Sequence, residues 1–244
     1  MKVLFAGPSL YGVAPDVTGI ELRPPAVHGD IARAVLQGAT AIGLIDGNFE
    51  AVAAVWHKEI VFALASGVTM LGSSSMGALR AAECAPLGMI PVGTIAETYT
   101  SGENDDDAAV ALTHAPPEFG YQPFTEAMVD VGPSLDRLVS LGLLTIAHRA
   151  QLWDRANRIH FKDRTDEAMF AGWSDPGALE SYRTHRINQK AADAMLLVER
   201  LRACADVRGP AKLTAAMGAL FTKQVLPRMQ QEPDRDFARK VRAG

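Results

Sequence analysis

Three short runs of strand composition constrain this chain most: residues 3–6, 41–45 and 68–71. Each is too short for a helix and shows no polar alternation, the pattern of a strand covered on both faces. Amphipathic helical patterns separate them. Ile31, Ala34 and Val35 lead to a stop at Gly38, and residues 53–65 end at Gly67. This β-α-β-α-β rhythm over the first 85 residues predicts a small, mainly parallel sheet with covering helices. The second half of the chain reads as helical, so the fold class is α/β. In such sheets ligands sit beyond the carboxyl ends of the strands. Here those ends carry Ser9, Asp46, and Ser74 with Ser75.

The third run leads directly into Ser73-Ser-Ser75-Met-Gly77 and a helical pattern that opens at Met76. A strand that turns sharply into a helix at a serine can expose that hydroxyl as a nucleophile, and the first N–H groups of the helix point at the same spot. The hydrolase elbow G-x-S-x-G is best matched on Ser75, with Ser73 and Gly77 as the flanking small residues. Centred on Ser74, the second small position would be Met76, so Ser74 is the alternative nucleophile. The competing reading is that these serines merely cap a helix.

A serine needs a base. The helix after the second strand carries Trp56-His-Lys-Glu59, and its apolar stripe is Val52, Val55, Trp56, Ile60 and Ala63. Lys58 falls off that stripe. It is either solvated or the base for Ser75, a role that requires its pKa to be lowered by burial or a neighbouring cation. A helix starting near Ala53 puts Lys58 about 8 Å along the axis from the strand ends, within reach. His57 lies at the edge of the stripe. Glu59 lies inside it and should have a buried partner, for which Arg80 is the expected residue.

Beyond Glu83 a loop precedes a short helix at 94–100 and an acidic loop with Asp105, Asp106 and Asp107. Adjacent carboxylates are turn or cap residues more readily than cation ligands. Residues 110–112 and 129–131 read as two further strands. Helical patterns follow at 134–143, 146–161 and 182–203, then a linker at 206–209, a short helix at 213–225 and a charged tail. His148, His160 and His185 share no ligand spacing. The two cysteines form no C-x-x-C pair, so neither a metal site nor a disulfide framework is expected, which suits a cytoplasmic protein. A formal charge of −4 argues against general nucleic-acid binding. No apolar run is long enough to span a membrane, and no phosphate loop or other cofactor motif is present.

The same residues resemble a known family. Gly7-Pro-Ser-Leu10, Arg23-Pro-Pro-Ala26 with Gly29-Asp-Ile31, Ile42-Gly-Leu-Ile-Asp-Gly47, Val55-Trp-His-Lys-Glu-Ile60, residues 72–83 and Asp105-Asp-Asp107 occur in the order found in TfuA-like proteins. The resemblance is specific through about residue 131 and continues more weakly into the helix with Gln189, Lys190 and Asp193. The resemblance does not cover the tail after about 205; together with the helical patterns it divides the chain into a TfuA-like α/β core at 1–131, a helical layer or subdomain at 132–204, and a linker, short helix and tail at 205–244. It departs from the family pattern at Ser73, usually alanine, and at Ala53, often proline.

What the resemblance implies is a partner of YcaO enzymes in peptide thioamidation. Such a protein would hydrolyse the C-terminal thiocarboxylate of a ThiS-like, ubiquitin-fold sulfur donor through a Ser-Lys pair. The precursor peptide is a further expected partner. Carried over, the pair falls on Ser75 (or Ser74) and Lys58. Backbone N–H groups of Met76 and Gly77 would hold the oxyanion, and Ser9, Asp46, His57, Glu59 and Arg80 would line the site. The alternative is a non-catalytic adaptor that recruits peptide to a YcaO enzyme.

Overall fold

A computed structural model describes residues 1–48 and 53–212. Three buried strands, a half-exposed edge strand and one very short strand form a parallel sheet: β1 (Lys2–Phe5), β2 (Ile20–Arg23), β3 (Ala41–Leu44), β4 (Thr69–Gly72) and β5 (Ile90–Pro91). Their order is β2-β1-β3-β4-β5. Register is fixed by pairs such as Phe5 with Leu44 and Leu44 with Gly72. The order reverses between β1 and β3, which opens a crevice at their carboxyl ends. Ser9, Asp46, Ser74 and Ser75 lie at these strand ends.

One face of the sheet is covered by α1 (Asp30–Leu36), α2 (His57–Ala65) and α3 (Met76–Cys84). Val3, Phe5, Ile42, Leu44 and Met70 point into that layer beside Ile31, Val35, Ile60 and Ala81. The opposite face presents Leu4, Ala6, Ala41 and Leu71 to α9 (Gln189–Ala203), which buries Ala194, Leu197, Val198 and Leu201 there. Gly43 permits the close approach. A Cβ on it would lie 2.6 Å from Leu197 and 2.9 Å from Leu4. The last helix among the described residues is thus a layer of the sheet domain.

Between β5 and α9 lie α4 (Thr94–Ser101), α5 (Met128–Ser140), α6 (Ile146–Arg158), α7 (Asp166–Phe170) and α8 (Ala178–His185). Helices α5 to α8 enclose a second core of Met128, Val131, Leu135, Leu138, Leu152, Phe170 and Tyr182. The α/β reading of the sequence holds, with the parallel sheet in the first half and helices dominating the rest.

Local expectations fared unevenly. Residues 110–112 and 129–131 are not strands. Residues Asp107–Val110 form a 3₁₀ turn, and 129–131 lie inside α5. The buried set 128, 131, 135, 138 keeps helical spacing through Pro133, whose missing N–H removes one hydrogen bond without ending the helix. The helical pattern of 182–203 is two helices, broken where Asn188 caps α9 by accepting the Ala191 N–H at 2.8 Å. Strands β2 and β5 escaped notice because β2 is a half-exposed edge and β5 has two residues. The short helix expected at 213–225 and the tail fall outside the described residues. Among the described residues no helix is long and apolar enough to cross a membrane.

Candidate functional site

The chain turns from β4 into α3 through a strained elbow. Ser74 has φ +64°, in the left-handed region that side chains rarely adopt, and the Ser75 N–H closes a tight turn onto the Ser73 carbonyl at 2.7 Å. The helix start fits against β3 only because residue 77 is glycine. A Cβ there would meet the Leu44 carbonyl oxygen at 1.8 Å. The three serines have different duties. Ser73 Oγ donates to the Asp193 carbonyl at 3.0 Å and Ser74 Oγ to the Lys190 carbonyl at 2.8 Å. Ser75 sits at the N-cap position of α3, yet its side chain caps nothing. Its hydroxyl instead lies 3.3 Å from the Nζ of Lys190.

Lys190 is a buried lysine, 2% exposed, in the first turn of α9. That turn is held from three directions. Ser74 binds the Lys190 carbonyl, Ser73 binds the Asp193 carbonyl just beyond it, and Asp130 of α5 accepts the Lys190 N–H at 2.9 Å. Asp193, one turn on, accepts the Ile95 N–H at 2.7 Å and so ties α9 to the start of α4. The Lys190 ammonium also donates to the Val110 carbonyl at 2.7 Å. Burial depresses its pKa, opposed by the nearby carboxylates of Asp46 and Asp130. A lysine so placed approaches the neutral form that a general base requires.

Asp46, at the end of β3, is sealed behind the turn that follows β1. Its carboxylate accepts the Gly7 N–H at 2.8 Å, the Ser9 N–H at 3.1 Å and the Ser9 hydroxyl at 2.7 Å. Ser9 therefore organises Asp46 and has its hydroxyl committed. Asp130 differs: it lines an open pocket of about 340 Å³ that reaches Lys190 between Pro8, the segment 123–127 and Arg186. Burial pushes its pKa up to about 6, against the pull of Lys190. Glu126 in the same pocket is also raised by burial, opposed first by Arg186 at 3.1 Å.

The lysine expected from sequence lies elsewhere. Helix α2 begins at His57, so Lys58 stands in its first turn, but the side chain is exposed and its ammonium lies 6.0 Å from the centre of the Trp56 ring. The lysine brought to Ser75 is Lys190. We predict that Lys58→Ala changes the unfolding free energy by no more than about 0.5 kcal/mol in urea unfolding, as for surface changes generally. His57 is exposed and pairs with Glu83 at 2.7 Å.

The expected Glu59–Arg80 pair does not form. Glu59 is buried and accepts the Gly29 N–H at 2.9 Å, the Trp56 N–H at 3.1 Å and the Ala32 N–H at 3.4 Å. One carboxylate thus serves the starts of both α1 and α2, and backbone donors supply what a cation was expected to supply. Arg80 donates to the Val55 carbonyl at 2.9 Å and to Glu83 at 2.6 Å. Gly77 is also unsuited to its assigned role, because its N–H already donates to the Ile45 carbonyl at 3.0 Å. Met76, the residue after Ser75, retains the position of an oxyanion donor. In the acidic loop, Asp106 caps the following 3₁₀ turn by accepting the Ala108 N–H at 2.9 Å.

The family model of TfuA-like proteins matches residues 46–165. Residues 46–165 belong to the TfuA-like family. The TfuA-like region takes in Asp46, the serine elbow, Val110 and Asp130, while Ser9 and Lys190 flank it in sequence and complete the same cluster in space. No curated protein matches the chain.

Proposed function

We propose that this protein is a thiocarboxylate hydrolase that supplies sulfide for peptide thioamidation. Ser75 attacks the C-terminal thiocarboxylate of a ThiS-like, ubiquitin-fold donor, and a YcaO enzyme consumes the sulfide released. The observation that carries this reading is a serine hydroxyl at a strained elbow, free of any capping duty, 3.3 Å from a buried lysine. Lys190 takes the base role that sequence reading gave to Lys58. Lys190 itself lines the open pocket that Asp130, Glu126 and Arg186 border.

In the first half-reaction Ser75 Oγ adds to the thiocarboxylate carbon and its proton passes to Lys190. The oxyanion faces the Met76 N–H. The C–S bond then breaks as Lys190 passes that proton to the departing sulfur, so hydrosulfide leaves and Lys190 is neutral again. In the second half-reaction water, deprotonated by Lys190, cleaves the Ser75 ester. Because the base must be neutral, activity rises with pH along a limb that lies below the ordinary lysine value of 10.5.

The test is free sulfide released from a thiocarboxylated ThiS-like protein by the purified protein alone. Wild type should release it and Ser75→Ala should not. Absence of release by wild type, with normal binding to a YcaO enzyme, would leave the adaptor reading in its place.

A further inference from the structure

A second cavity, of about 480 Å³, opens between α4, the acidic loop, α5 and α6. Among the described residues it shares no lining side chain with the pocket at Lys190. Its floor is apolar, made by Met128, Val129, Pro133 and Trp153. Gly132 lets Trp153 lie close against α5, since a Cβ there would stand 3.0 Å from the indole ring.

The rim is acidic. Glu103, Asp106 and Asp136 line it against one cation among the described residues, Arg149. Arg149 is already engaged: it binds Asp136 at 2.8 and 3.3 Å, and its guanidinium lies 5.1 Å from the centre of the Trp153 ring. Glu103 and Asp106 therefore set the charge of the opening. Tyr99 of α4 feels the same field, its pKa pushed up first by burial and then by Asp106, Asp107 and Asp105. A backbone acceptor joins these carboxylates. Pro133 lies inside α5 and has no N–H, so the Val129 carbonyl lacks the donor that a helix ordinarily supplies from four residues on. Val129 and Pro133 both line the cavity, which places this acceptor beside it.

We propose that the cavity binds an extended, basic segment of a partner polypeptide. An arginine head group pairs with Glu103 and the Val129 carbonyl, and its apolar neighbours cover Val129, Pro133 and Trp153. A guanidinium suits the place because it carries five donors and no acceptor, so carboxylate and carbonyl are met together. An acidic segment would meet like charge. A wholly apolar one would cover these acceptors without pairing them. The cavity also reaches Gln189, whose side chain donates to Asp193 at 2.7 Å within the first turns of α9. A partner held here stands beside the turn that carries Lys190, yet nothing in its binding requires Ser75 to be a nucleophile.

The experiment is fluorescence anisotropy of a fluorescein-labelled, amidated Gly-Leu-Arg-Val-Arg-Leu-Gly peptide with the full chain at about 0.15 M salt. Wild type should bind it and should not bind the same peptide with glutamate in place of both arginines. Glu103→Lys should weaken binding about tenfold or more, because like charges placed together at an interface are strongly unfavourable. Asn157→Trp, at an exposed helical position lining the cavity, adds bulk without charge and should weaken binding by a similar factor. Glu199→Lys is the control. It makes the same change in net charge on an exposed position of α9 outside the cavity, and screening should hold its effect within about twofold. Thermal melts of the three variants show that each is folded. Absence of binding by wild type, equal binding of the glutamate peptide, or an equal loss in Glu199→Lys overturns the proposal. So does a loss in Glu103→Lys with none in Asn157→Trp, which would leave a charge effect without the cavity. Self-association of the full chain that excludes the peptide and is abolished by Asn157→Trp would give the cavity to a second copy of the chain, and overturn it as well.

Discussion

Replacing Lys190 with methionine is expected to abolish sulfide release while the protein stays folded. Loss of a general base alone lowers a rate by roughly 10²–10⁴-fold, and in the proposed mechanism the same group serves both half-reactions. The fold should tolerate the change because the amine is a burden where it stands. Burial lowers its pKa below 10.5, so the unfolded chain binds the proton more strongly than the folded one. Wild-type stability from this group is therefore reduced at neutral pH and recovers as pH rises towards 10.5. Methionine carries no such dependence. The variant's Tm should equal or exceed that of wild type at pH 7, and any advantage should narrow by pH 10. Thermal melts at the two pH values check this. A variant that is both inactive and unfolded would contradict it.

Gly77→Ala is expected to have the largest effect on stability. The added methyl would lie 1.8 Å from the Leu44 oxygen and 2.6 Å from its carbonyl carbon, both backbone atoms of the central strand β3. Neither can turn aside as a side chain could, so the start of α3 must move away from the sheet. Overpacking of a core typically costs about 1–3 kcal/mol, and occasionally more. A clash with a strand backbone belongs at or above the top of that range. The same movement would carry Ser75 away from Lys190, and activity should be lost at temperatures where the variant remains folded. Gly12→Ala is the control: nothing lies within 4 Å of its Cβ position, so only its φ of +78° opposes the change, at about 1–2 kcal/mol. Urea unfolding of the two variants measures the difference.

Half of the site could be read from sequence because it lies where short apolar runs end. Ser9, Asp46 and Ser75 each follow a strand, and parallel strands bring such ends together whatever the loops do. Lys190 could not be placed that way. It reaches the crevice from a helix 115 residues beyond Ser75, and nothing local says which face of the sheet that helix covers. A signal was present all the same. Lys190 and Asp193 stand in line with Ala194, Leu197 and Leu201, all of them buried. Charges inside an apolar stripe demand partners. That argument identified Glu59 as buried but assigned it a cation, whereas the backbone at two helix starts supplies its donors. Lys58 attracted notice because it lies close in sequence to the sheet edge. At the start of α2 its side chain is free to leave for solvent, and it rests near Trp56. The strands expected at 110–112 and 129–131 failed for a related reason: short apolar triplets fit a strand and one turn of a helix equally well.

The central claim is that Ser75 is a nucleophile activated by Lys190. The most direct measurement is labelling of the purified protein with a serine-reactive fluorophosphonate, with the modified peptide mapped by mass spectrometry. The label should fall on Ser75, disappear in Lys190→Met and persist in Lys58→Ala. Labelling at Ser74, or labelling of Ser75 that is indifferent to Lys190, would contradict the account.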